Sequence, residues 1–211
     1  MQFLLRLSRF IDRITMHVGT LAMLMIAAAV FISTGNAVAR KLFSLSSNAM
    51  LEIQWYLFSA VFLLGAGYAL LRNAHVRIDF LSSRFSPRTR NLIDIGGILL
   101  VIVPLCALLI EMSMPLFLSA YQTGEMSPDA GGLLRWPVLM TVPLGMVLLL
   151  AQSGSEIIKR IAFLGGYGPD PLFEKSEQES IDELIAEGEA LVAEVTGQHA
   201  APTTGADREA K

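Results

Sequence analysis

Cysteine and histidine are nearly missing from this chain of 211 residues, which has one Cys (Cys106) and three His (His17, His75 and His199). A single cysteine excludes an intramolecular disulfide, a four-cysteine zinc site and a dithiol relay. The histidines lie in three separate segments and only His17 borders an apolar run, so the facing histidine pairs of a membrane cytochrome are absent. No G-x-x-x-x-G-K-[ST] loop is present to hold ATP phosphates, and no Ser/His/Asp set stands in a context that would activate a nucleophile. No enzymatic activity, metal or cofactor is expected, and no nucleic-acid partner. Charge is scarce as well. Only 17% of residues are charged while 53% are hydrophobic, against roughly 25% charged in an ordinary soluble domain.

The few charges are segregated. Residues 1–164 hold 13 Lys and Arg against 8 Asp and Glu, a net +5, whereas residues 165–211 hold 3 against 11, a net −8. The two parts meet at Gly165-Gly166-Tyr167-Gly168-Pro169, a cluster that reads as a boundary. What fills the first part is long apolar runs. Residues 53–71 carry no charge, and roughly 20 such residues at 1.5 Å rise cross a bilayer core of about 30 Å. Four runs of this kind place spans at about 16–39, 50–71, 92–114 and 137–158. A chain this short has no soluble core in which to hide four of them. The expected fold is therefore all-α and membrane-embedded, with four transmembrane helices.

Ahead of the first span, Phe3, Leu4, Leu7, Phe10, Ile11 and Ile14 share one helical stripe with Arg6, Arg9 and Arg13 off it, which predicts an interfacial amphipathic helix over 1–15. Ala37-Val38-Ala39 resembles a signal cleavage site. The run before it exceeds the 7–15 residues of a signal core, so the segment is expected to stay as a span. Ser86-Pro87 offers an N-cap and a first-turn proline for the third helix, and Pro104 predicts a kink inside it. Residues 16–164 thus form the membrane domain. Residues 165–211 are expected to be an acidic tail, partly disordered, in which Ser180-Ile181-Asp182-Glu183 caps one amphipathic helix.

Ten Lys and Arg flank the spans at the N-terminus, the central loop and the start of the tail, against three in the other two loops. Retention of basic residues in the cytoplasm then predicts that both termini are cytoplasmic and that Trp55 and Trp136 mark the outer surface. Glu52, Asp94, Glu111 and Glu156 are read as lying toward the ends of spans. Pairing of Glu52 with Arg40 or Lys41, of Arg90 with Asp94, and of Glu156 with Arg160 is expected. Gly65 and Ala69, four apart, allow helix two to approach another helix closely, within the chain or outside it.

Several strings resemble the small, Q-type membrane subunit of the tripartite ATP-independent periplasmic (TRAP) transporters. They are Asn36 to Arg40 before the first outer loop, Glu52-x-x-Trp55 with Phe62-Leu63-Leu64-Gly65-Ala66-Gly67-Tyr68-Ala69, and above all His75-Val76-Arg77-Ile78-Asp79-Phe80-Leu81. The segment from Glu125 through Arg135-Trp136-Pro137 to Pro143-Leu144-Gly145 is similar to the mannitol or chloroaromatic branch. The resemblance covers about residues 8–164 and implies a bacterial inner-membrane subunit that scaffolds a large permease. The partners it implies are that permease, a periplasmic substrate-binding protein and membrane lipids, in a sodium-driven importer of organic acids. The structural or interface positions it points to are Arg40, Glu52, Trp55, Gly65, Ala69, His75, Arg77, Asp79, Arg135 and Trp136. The competing expectation is a self-sufficient four-helix carrier, working as a homo-oligomer with Glu52 or Glu111 as its coupling carboxylate.

Overall fold

The computed structural model describes residues 1–43, 48–72, 85–129 and 132–171, together with 181, 184, 185, 188 and 192. Among the described residues of the first 170, the α-helices in order are α1 (Gln2–Phe43), α2 (Asn48–Leu71), α3 (Pro87–Gly97), α4 (Val103–Thr123) and α5 (Trp136–Leu164). One π-helical turn, Ile98–Ile102, joins α3 to α4, so that Pro87–Thr123 is a single long rod. That rod and the other three helices are each long and apolar enough to cross a membrane. The protein is an all-α membrane protein.

No glycine or proline interrupts residues 2–18, so the expected interfacial segment and first span are one uninterrupted helix. At 1.5 Å per residue, the 42 residues of α1 measure about 63 Å. The third rod begins as its sequence predicts, with the Ser86 hydroxyl accepting from the Thr89 amide and Pro87 in the first turn. Pro104 does not break it. A proline offers no N–H and crowds the carbonyl four residues back, and here the backbone widens ahead of it, the Val103 amide reaching the Ile98 carbonyl. The rod ends at Gly124, whose φ of 62° is the left-handed cap that a residue without Cβ adopts at little cost. The rod's last helical residue, Thr123, is nine residues past 114, the expected limit of the membrane part.

Helix α5 is the hub and packs against each of the other helices. Its contacts are made by small residues. A Cβ on Gly145 would lie 2.6 Å from the Leu63 carbonyl oxygen of α2, one on Gly67 would lie 3.6 Å from the Leu148 carbonyl oxygen, and one on Gly19 of α1 would strike the Tyr68 ring. The buried apolar set is likewise small, with Ala22, Ala29, Ala60, Ala120 and Ala162 in it. Large side chains turn outward instead, Phe31, Phe62 and Leu100 being 77%, 80% and 79% exposed. This inversion is what lipid permits, because tails are as apolar as Leu and helices associate through close backbone approach.

The chain divides into two units, Met1–Asp170 and Pro171–Lys211. In the second, Ile181, Leu184, Ile185, Gly188 and Val192 are helical and exposed. Leu191 and Val195, further apolar residues of the expected amphipathic helix, lie outside the described residues.

Candidate functional site

At the tryptophan end of the bundle, the first turns of α2 hold the loop that joins α4 to α5. Glu52 Oε2 accepts the Leu133 amide at 2.7 Å, and the Tyr56 hydroxyl donates to the Leu134 carbonyl at 3.1 Å. The loop is stitched to itself by the Ser127 amide to the Leu133 carbonyl, the Arg135 amide to the Glu125 carbonyl, and an ion pair between the Arg135 and Glu125 side chains. Gly132 is required there, since a Cβ would meet the Ser127 Cβ at 2.6 Å and Glu52 Oε1 at 3.1 Å. Trp136 packs edge-on against Tyr121 with centroids 5.6 Å apart. Around Glu52, a cleft of about 400 Å³ is lined by residues that include Trp55, Tyr56, Asp129 and Arg135.

The expected pairing of Glu52 with Arg40 or Lys41 is not formed. Both basic side chains are exposed, and Glu52 serves the loop because turned-in amides with no strand or helix partner supply the donors that a carboxylate needs. Trp55 stays 73% exposed beside it.

At the opposite end, where α1 begins and α5 finishes, a second polar assembly is buried between helices. Asp12 accepts from Gln152 Nε2 at 2.9 Å and Ser155 Oγ at 2.7 Å on one oxygen, and from Lys159 Nζ at 2.9 Å on the other. Lys159 also reaches Glu156 at 2.7 Å, Glu156 holds Arg160 at 2.5 Å, and Arg160 extends to Asp94 of α3 at 3.1 Å. Thr15 donates to Gln152 at 2.7 Å, and the Ser8 and Ser155 hydroxyls lie 2.7 Å apart. Gln152, Ser155, Glu156 and Arg160 are almost wholly buried. Such an assembly is stable when nearly every member is satisfied, and it ties α1, α3 and α5 together.

Of the pairs expected here, Glu156 with Arg160 is present. Asp94 meets Arg160 rather than Arg90, because α5 brings a guanidinium with several donors alongside it. Asp12, Gln152, Ser155 and Lys159 were not singled out from the sequence. The signals were Gln152-Ser153 and Ser155-Glu156 breaking an apolar run, and Ser8, Asp12, Thr15 and Gly19 recurring on one helical face.

Between the two ends, Gly65 has open space where a Cβ would be, so it is not used for packing within the bundle. It lies on an outward stripe with Trp55, Phe58, Phe62 and Ala69, spaced three and four apart. Gly67, on the other face, makes the internal contact. His75, Arg77 and Asp79 lie outside the described residues. Among the described residues no cluster of His, Cys, Asp and Glu could hold a metal ion. Cys106 is buried.

Residues 29–163, more than half of the chain, match the family model described as tripartite ATP-independent periplasmic transporters, DctQ component. No curated protein matches the chain.

Proposed function

Since the chain belongs to the DctQ component family of TRAP transporters, we propose that it is the scaffold subunit of a sodium-driven importer of organic acids. In this reading it packs against the large permease in the inner membrane, with both termini cytoplasmic, and the permease receives substrate from a periplasmic binding protein. The observation that carries the reading, beyond the family, is where the polar groups are. Glu52 is engaged by the loop, and the acids of the Asp12 to Arg160 assembly are paired with Lys159 and Arg160 between helices. Neither offers the inward-facing, interrupted-helix site at mid-depth that a carrier uses, and Glu111 is exposed on the outward side of α4 rather than turned into the bundle. The Gly65 and Ala69 stripe of α2, flanked by outward aromatics, supports a role as a surface to be packed against. Arg40, Arg135 and Trp136 then belong to the outer rim, and His75, Arg77 and Asp79 to the central cytoplasmic loop.

Reconstitution tests this. The purified chain alone in liposomes should give no sodium-driven or proton-driven uptake of any organic acid, while the chain with the large subunit and the binding protein should restore it. Gradient-driven uptake by the chain alone, abolished by Glu52→Gln or Glu111→Gln, would establish the self-sufficient carrier instead.

A further inference from the structure

Glu111 is the only charged residue between Asp94 and Glu125. The helix that carries it, α4, continues twelve residues beyond it to Thr123. It lies ten residues, about 15 Å, below Tyr121, which packs edge-on against Trp136 at the aromatic rim, and seventeen residues, about 25 Å, from Asp94 at the other end. Half of a hydrocarbon core is about 15 Å. With the Tyr121 and Trp136 rim taken at the headgroup level, that spacing places Glu111 deep in the bilayer. It is also exposed, on the side of α4 opposite the buried Cys106 and Ala120, and it has no hydrogen-bond or ion-pair partner among the described residues. Pro115, one turn on, has no N–H to give the Glu111 carbonyl. The outward face thus carries a carboxyl and a backbone acceptor together, surrounded by Ala107, Leu108 and Leu118, where lipid tails offer no donor.

We propose that this face of α4 is an interface with a transmembrane helix of the large subunit, and that Glu111 accepts hydrogen bonds from a cationic side chain there. Acceptors alone require donors, and an arginine, with five, best matches a carboxylate and an adjacent carbonyl. A second copy of this chain would bring Glu111 against Glu111 and repel. Lipid would leave the group unsatisfied at a cost of several kcal/mol. The inference rests on the scaffold reading and adds a polar contact to it.

The test uses the full subunit co-expressed with the large permease. Wild-type co-purification checks the scaffold reading by itself; without it that reading fails before Glu111 is tested. Given a wild-type complex, Glu111→Leu and Glu111→Arg should weaken it about thirty-fold or more in Kd, the effect of removing one member of a buried charge pair. The isolated Glu111→Leu subunit should insert and fold as well as wild type. Changing each membrane-embedded Arg and Lys of the large subunit to Glu in turn should identify one that restores the complex with Glu111→Arg. A Glu111→Leu complex as tight as wild type would overturn the proposal and leave Glu111 facing lipid. So would a weakened complex that no charge exchange restores.

Discussion

Glu156 and Arg160 illustrate what a single residue can cost inside this bundle. Both are essentially excluded from solvent, and each is held by more than one partner. Truncating one leaves the other buried with a single charged partner among the described residues, Lys159 for Glu156 or Asp94 for Arg160, so Glu156→Ala or Arg160→Ala should lower stability by about 1–3 kcal/mol. The double replacement Glu156→Leu with Arg160→Met should cost far less, because it removes both charges and keeps the volume. Unfolding of the purified variants in detergent checks this, and a double variant as unstable as either single one would contradict it. Glycines divide in the same way. Gly145→Ala should destabilise by about 1–3 kcal/mol, since its Cβ must displace backbone of α2. Gly154→Ala, with nothing within 4 Å, should be neutral or stabilise by about 0.5–1 kcal/mol through helix propensity. The same melts separate the two.

At the scale of the element, α2 presents two unlike faces. Gly67 serves the interior and meets α5, whereas Gly65 and Ala69 open outward. Gly65→Leu should leave the isolated subunit folded but reduce both its co-purification with the large subunit and the uptake of the complex. Gly67→Leu should instead destabilise the subunit itself. Equal loss of folding in both variants, seen by size-exclusion profile and helical circular dichroism, would show that the outward face is not reserved for a partner. Helix α1 is similarly divided. Ser8, Thr15 and Gly19 turn in toward α5 and α2, and Phe3 and Phe10 turn out, so its polar face is the packed one. A soluble amphipathic helix does the reverse, and the arrangement is stable here because the apolar face meets lipid.

For the whole molecule, the segregation of Lys and Arg predicts a direction across the membrane. Single cysteines at Arg77 and Asp129, in a Cys106→Ala background, should label oppositely with a membrane-impermeant thiol reagent. The Asp129 site should react in intact cells and the Arg77 site only after lysis. Labelling of the Arg77 site in intact cells would reverse the topology. The rim at the tryptophan end and the polar assembly at the other end act as two clasps on one bundle. Glu52 fixes the α4–α5 loop at one end, and Asp12 with Glu156 and Arg160 fixes three helices at the other.

The sequence by itself determined four membrane-crossing helices, their order, the cap at Ser86 and the pairing of Glu156 with Arg160. These depend on charge-free length, helical periodicity and neighbours four residues apart, all of which are local. It also determined the family, through short strings spread across the spans. Only the tertiary structure decided that Glu52 holds Leu133, 81 residues away, and that Asp94 holds Arg160, 66 residues away. The same is true of Asp12 lying inside the bundle. The helix carrying Glu111 runs on to a backbone cap at Gly124, a point that hydropathy does not record. In a membrane bundle both the inward and outward faces are apolar, so periodicity cannot tell them apart. Which small residues meet another backbone, and which acids find donors, is settled only when the helices pack.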